Sequence, residues 1–508
     1  MREFLKKNKR ISLLALLFSF LCFGFMLTHY MVNIDEETWL LENSNSNLWL
    51  LQNRYGIYLY DMLFTKYGRF TPFFSDVMGI VLWNLSGLLF AYVFFDFEKK
   101  DHWWIRLAML CYYNSVPLCV GEAFAFTMQI IPEAIALVLT AVAFVGTVKP
   151  WQKNNKINIM VILGLLTFSF GVYQALICVY VTAVAAWCFC RFLEEKPLCQ
   201  EMGVGIFYSV VSIALYYIIN FAIGKLVGAQ SYLTGNYIGW LDERGILYNL
   251  FLAFANVARV SLGITIEDVP ILGAESLCVL MILFIVTAIV WFFRKRGVVK
   301  KIGVLLFSLG MVLAPFSLYL VMGTYKTHGR MLIALCLAGM VEILLIYEAF
   351  SHKAVQKAVS FVFAGLLIFN ASKMNRVYYD SYLVYQYDKS TADAIMYDIQ
   401  RLGYDYHTKA VVFIGDRKMD PIPIIKSGSL GGSFFSWDGG NILRIIDFME
   451  LEGYQLNTPS SQQIEDGLKI CTEMKVWPQE GSIVQTEDSI VVYLSEPEEA
   501  WYKTNVLK

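Results

Sequence analysis

The sequence predicts a polytopic α-helical membrane protein that ends in a small α/β domain. Three observations carry this. Of 508 residues, 57% are hydrophobic and only 16% charged, where a soluble protein carries about a quarter charged. The apolar residues fall into runs of about 15–24 residues almost free of charge, most of them long enough to cross a hydrocarbon core of about 30 Å. From about residue 373 onward the composition turns soluble-like and acidic, with roughly 13 basic residues against roughly 20 acidic ones. The net charge of −1 provides no bulk basicity for nucleic-acid binding.

The elements follow in order. The basic start REFLKKNKR (2–10) leads into an apolar run at 11–31. That run is too long for a signal-peptide core and is followed by no small-x-small cleavage site, so it reads as a retained first span. Further spans are predicted at 73–95, 104–119, 131–148, 157–171, 174–190, 203–224, 274–293, 303–322, 331–349 and 356–371, about eleven in all. Residues 158–190 contain no charge but are flanked by Lys153, Lys156, Arg191 and Lys196. A hairpin turning at Gly171-Val172-Tyr173-Gln174 fits this better than one tilted helix. The stretch 104–148 turns likewise around Gly121–Gln129. The loops 32–72 and 225–270 carry apolar, Trp- and Tyr-containing segments that read as helices in the outer interface. These elements define a transmembrane domain at 1–372. In the second domain, 373–508, STADAIMYDIQRL (390–402) and 441–453 read as helices, the former capped, and AVVFIG (410–415) and DSIVVYLS (488–495) as strands.

Lys and Arg set the orientation. The N-terminal tail and the loops 96–106, 149–156, 191–196, 294–301 and 350–357 hold about 20 basic residues, the opposite set about 8. The first set is therefore cytoplasmic, and both the loop 32–72 and the tail are extracytoplasmic. The ten cysteines show no metal-binding spacing and lie mostly in apolar runs, which is the pattern of buried small side chains.

Ionisable residues gather at the outer surface. The acids are Asp35, Glu36 and Glu37 in NIDEETWLLE (33–42), with Asp76, Glu122 and Glu133. The bases are Arg54, Lys66, Arg69, Arg244, Arg259, Lys326, His328 and Arg330. A carboxylate beside a base can take a proton from an alcohol or ligate a metal. Arginines hold phosphate through paired hydrogen bonds. A polyprenyl-phosphate sugar presents its phosphate at headgroup level and its tail in the bilayer, which suits this arrangement. Each residue also has a plainer role. An acidic triplet is most often a solvated loop start. Arg54 either holds a donor phosphate or pairs with Asp35 or Asp61. His328 and Arg330 either line the donor site or end two spans. Tyr173 and Gln174 either touch sugar or anchor a turn, and Trp437 and Asp438 either meet polysaccharide or form a loop.

Several stretches carry a family resemblance: YMVNIDEETW (30–39), LWLLQNRYGIYLYDML (48–63), FSFGVYQALI (168–177), THGRML (327–332) and MKVWPQEGSI (474–483) with DSIVVYLS. In these the chain resembles the GtrII-type membrane glucosyltransferases of the broader GT-C class. The acidic motif reads Asp-Glu-Glu here where the family often has Asp-Asp. The resemblance implies a GT-C-like fold and a hexosyltransferase of the cell membrane that takes a polyprenyl-phosphate-linked sugar, glucose by preference, to a surface polysaccharide or other envelope acceptor. It implies Asp35 as the base, with Glu36 the second candidate. Arg54, Arg69, Tyr173, Gln174, His328 and Arg330 become candidates for the donor phosphate and substrate. No cofactor is required, although Asp35 and Glu36 together could bind Mg2+ or Mn2+ weakly. Two other functions stay open: a transporter or flippase of lipid-linked sugars, and a polymerase or ligase. A transporter would carry midplane charges and repeated halves, and neither is evident.

Overall fold

Apolar runs in lipid become helices because the backbone there must satisfy its own N–H and C=O groups. The computed structural model describes residues 2–41, 47–64, 70–98, 102–150, 155–228, 240, 245–264, 272–323, 328–419 and 430–507. Lys66, Arg69, Arg244 and Lys326 lie outside the described residues. The chain divides into two units, Met1–Thr28 with Ser46–Arg376, and His29–Asn45 with Val377–Lys508.

The first unit is helical. Seven helices among the described residues are long and apolar enough to cross a membrane, the last being a 49-residue helix whose C-terminal part belongs to the second unit. The other four predicted spans coincide with helices that fall outside that set: Arg2–Cys22 continued by Gly24–Thr28, Trp103–Tyr113, Asn155–Val172 and Ala334–Ala349. Helix Pro72–Phe94 packs along Thr127–Val148, and Asn155–Val172 packs against the latter. Buried amides stitch helices together. Asn114 donates to Asn84 at 2.8 Å and Asn84 to Ser19 at 3.0 Å, the polar contact that helices use where lipid offers no hydrogen bonds.

An inverted pattern of exposure is plain on helix Ile246–Leu262, within the loop 225–270. Ile246, Leu247, Phe251 and Phe254 are exposed, while Asn249, Asn256 and Arg259 are buried. Arg259 donates to Asn256 at 2.9 Å. Its apolar face points outward and its polar face inward, the reverse of a helix on the surface of a water-soluble protein.

In the second unit a three-stranded sheet runs β1 (Ala410–Ile414), β3 (Ser489–Tyr493), β2 (Ile483–Gln485) in spatial order. Strand β1 is parallel to β3, with Ala410 opposite Ser489, and β2 is antiparallel to β3. Strand β1 is buried along its whole length, as a strand covered on both faces must be. Helices Ile442–Leu451 and Ser461–Cys471 lie between β1 and β2 in sequence. The core joins Ile445, Ile446 and Phe448 to the strands and to Val32 and Ile34 of the N-terminal segment.

Helix Lys353–Arg401 is one element of 49 residues, where the sequence predicts a span at 356–371 and a separately capped helix from 390. Ser390 and Thr391, read as that cap, donate their hydroxyls back to the carbonyls of Gln386 and Tyr387 at 2.9 Å each. Serine and threonine make that bond inside a continuous helix. Ala392, Ile395, Met396 and Ile399 near its end enter the second unit's core.

Candidate active site

In the first unit, two of the motifs singled out in the sequence interlock. Asn53 sits at φ 58° between helices Asn47–Leu51 and Tyr55–Phe64. The Arg54 amide donates to the Trp49 carbonyl at 2.7 Å, closing the turn. Tyr55 then lies across Gly171 and donates its hydroxyl to the Thr167 carbonyl at 2.6 Å. A Cβ on Gly171 would meet the Tyr55 ring at 2.1 Å, and one on Gly56 would meet Val172 at 2.4 Å. Both glycines are thus required by close approach. Gln174 donates to the carbonyls of Gln52 at 2.9 Å and Asn53 at 3.3 Å. Its amide therefore holds the Arg54 turn. Asp61 accepts from the Trp49 indole at 2.7 Å.

This lock aims Arg54. Its guanidinium donates to Gln129 at 2.9 Å, lies 3.9 Å from Glu133 and sits 4.9 Å over the Tyr173 ring. Tyr173 and Glu133 are buried, and neither the Tyr173 hydroxyl nor Glu133 Oε1 has a hydrogen-bond partner among the described residues. A buried polar atom left unpaired is costly and asks for a ligand or a functional reason.

Arg330 reaches the same cluster from Gly329–Leu332. The Gly329 amide donates to Glu122 at 2.6 Å. A Cβ there would meet the Leu118 carbonyl at 2.1 Å, so glycine lets this segment close on Glu122. Arg330 lies 3.8 Å from Glu122 and 3.8 Å over the Phe126 ring. Phe126 immediately precedes helix Thr127–Val148, which carries Gln129 and Glu133. Arg54, Tyr173 and Arg330 are therefore brought together, with Gln174 as a support. His328 is exposed beside them in sequence.

Asp35 and Glu36 belong to the second unit. Asp35 precedes helix Glu36–Leu40 at φ 81°. Glu36 is buried and accepts from the Asn33 amide at 3.0 Å. Asp35 is exposed over 45% of its side chain and accepts from Arg444 at 2.7 Å. Glu37, fully buried, accepts from the same guanidinium, and Asp438 accepts from its Nε at 3.2 Å. Burial pushes the Glu37 carboxyl up to about 7 against the opposing pull of the Arg444 charge. Sequence reading selected neither Glu37 nor Arg444. Glu37 was visible in the triplet, whereas Arg444 carries no local signal. Among the described residues, no group of three or more His, Cys, Asp or Glu side chains could hold a metal ion.

Comparison with known proteins adds one finding. A family model described as glucosyl transferase GtrII matches residues 24–347, more than half of the chain and all of the first-unit cluster. No curated protein and no solved structure matches. With the interlocked Arg-Tyr-Gly and Gly-Val-Tyr-Gln turns lying inside that match, the chain belongs to the GtrII glucosyl transferase family.

Proposed function

We propose that the chain transfers a glucosyl group from a polyprenyl-phosphate-linked donor to a glycan or other envelope acceptor on the outer face of the cell membrane. The observation that carries this reading is the placement of Arg54 beside Glu133 and Tyr173, whose hydroxyl has no hydrogen-bond partner among the described residues, with Arg330 beside Glu122. Arg54 lies 3.9 Å from Glu133 and Arg330 3.8 Å from Glu122. The two arginines would bind the donor phosphate and gain strength as it takes on a second negative charge on leaving. Tyr173 would contact the phosphate or the sugar, and His328 and Arg69 remain candidate donor contacts.

Asp35 is the favoured base, because Glu36 is buried while 45% of the Asp35 side chain is exposed. The acceptor oxygen bonds to the anomeric carbon as the bond to the phosphate oxygen breaks. The hydroxyl proton passes to Asp35, and polyprenyl phosphate leaves. One displacement inverts the anomeric centre and requires no metal. In this reading about eleven helices of residues 1–372 cross the membrane, the N-terminus is cytoplasmic, and residues 373–508 face outward.

The test is a transfer assay with purified full-length protein and radiolabelled undecaprenyl-phosphate-glucose, given a cell-envelope extract as acceptor source. Wild type should move label from the lipid with or without EDTA. Asp35→Asn should lose about 1,000-fold in rate, and Glu36→Gln should lose less. A donor left untouched by wild type would refute the donor assignment, and full activity in Asp35→Asn would refute the base.

A further inference from the structure

Arg444 lies on helix Ile442–Leu451, whose start is capped by the Asn441 side chain accepting from the Leu443 amide at 3.1 Å. Ile442, Ile445, Ile446, Phe448 and Met449 are buried, and Arg444 leaves the opposite face. Helix Glu36–Leu40 packs on this helix. Arg444 and Asp35 are 409 positions apart in the chain. All three nitrogens of the guanidinium are engaged, Nη2 by Asp35, Nη1 by Glu37 and Nε by Asp438. Glu37 is the fully buried end of this arrangement and Asp35 the exposed one.

We infer that Arg444 is the positioning residue for the proposed base: anchored by buried Glu37, it fixes the Asp35 carboxylate through Oδ1 and leaves Oδ2 to accept the acceptor proton. The inference rests on the reading of Asp35 as base. The guanidinium fork holds direction as well as charge, which a lysine cannot do for three carboxylates at once. It also offsets the mutual repulsion of Asp35, Glu37 and Asp438. Two of the four non-glycine residues with positive φ among the described residues, Asp35 at 81° and Asp438 at 54°, are held by this one side chain. Arg444 lies beyond residue 347, where the family match ends. The C-terminal unit thereby takes part in the reaction through the geometry of the base.

The experiment measures kcat and donor KM for full-length wild type, Arg444→Gln, Arg444→Lys, Glu37→Gln and Asp35→Asn, with labelled undecaprenyl-phosphate-glucose and thermal unfolding of each protein. Arg444→Gln should lose about 100-fold in kcat, the scale of a misplaced catalytic group, while KM stays within about two-fold of wild type. Arg444→Lys should recover part of the loss, since it keeps the charge but not the fork. Glu37→Gln retains an acceptor oxygen for Arg444 and should lose less than Arg444→Gln. Wild-type kcat in Arg444→Gln with an inactive Asp35→Asn would overturn the inference and leave the base assignment standing. An active Asp35→Asn would remove the base itself. Equal loss in Arg444→Gln and Arg444→Lys, tracking loss of folded protein, would make Arg444 structural and overturn the inference as well.

Discussion

In the second unit, one guanidinium is ringed by three carboxylates, two of its contacts at 2.7 Å and 3.2 Å. In the first unit, two guanidinia face two carboxylates at 3.9 Å and 3.8 Å and are backed by the rings of Tyr173 and Phe126. The residue types are alike and the arrangements opposite. Short contacts around a single cation spend its hydrogen bonds inside the protein and fix the direction of its carboxylates. Longer contacts with aromatic backing hold each of the two cations against a ring face. One cluster closes a ring of carboxylates around a single cation, and the other, in the proposed reading, is where the donor phosphate would bind.

Three changes would break or sharpen this contrast. The largest effect is expected from Arg54. Arg54→Ala should lower kcat/KM for the lipid-linked donor about 100-fold or more, the scale of removing one preorganised donor to a developing anion, and Arg54→Lys should restore little of it. An Arg54→Lys enzyme at wild-type efficiency would mean that the planar fork is not used, and the contrast with Arg444 would collapse.

Next comes the lock beneath Arg54. Gly171→Ala puts a methyl group 2.1 Å from the Tyr55 ring, so Tyr55 or the helix end must shift. The expected cost is about 1–3 kcal/mol of stability, read as a lower unfolding temperature, with donor affinity falling alongside. Alanine tolerated at no cost in either quantity would show that the turn is not what aims Arg54.

The smallest effect belongs to Glu37. Its folded carboxyl titrates near 7, above the ordinary glutamate range, because it is buried. The folded protein therefore holds a proton that the unfolded chain has already released. The stability this contributes is complete below the ordinary glutamate pKa and is lost as pH rises through about 7. Stability should fall as pH rises across that window. Glu37→Gln should flatten that slope. A slope unchanged in the variant would place the titration elsewhere.

Much of the helical scaffold was legible, and the reason is local. Transfer of an apolar side chain out of water depends on that side chain, so a run of them announces a helix in lipid wherever it falls. The charge-free stretch 158–190 resolves into helices Asn155–Val172 and Leu176–Leu193 with Tyr173 between them, as its flanking bases predict. Helix Ser461–Cys471 is not among the predicted elements although the sequence carries its signal. Ser460 and Gln463 form a reciprocal capping box, which the spacing Ser-x-x-Gln announces. The continuity of Lys353–Arg401 was not legible, because serine and threonine at 390–391 signal a cap and a mid-helix back-bond equally well.

By itself the sequence determined the apolar helices, their turns, the strands at 410 and 489, and the short motifs in which Arg54, Tyr173, Arg330 and the acidic triplet reside. Only the tertiary structure decided which side chains meet. It joined residues 29–45 to the C-terminal unit, set Gly171 under Tyr55, brought Arg54 to Glu133 and Arg330 to Glu122, and gave Asp35 and Glu37 a common partner in Arg444. Helix and strand preference is a property of neighbours along the chain. An ion pair spanning 409 positions is a property of packing, and nothing near Arg444 in the chain says which carboxylate it will hold.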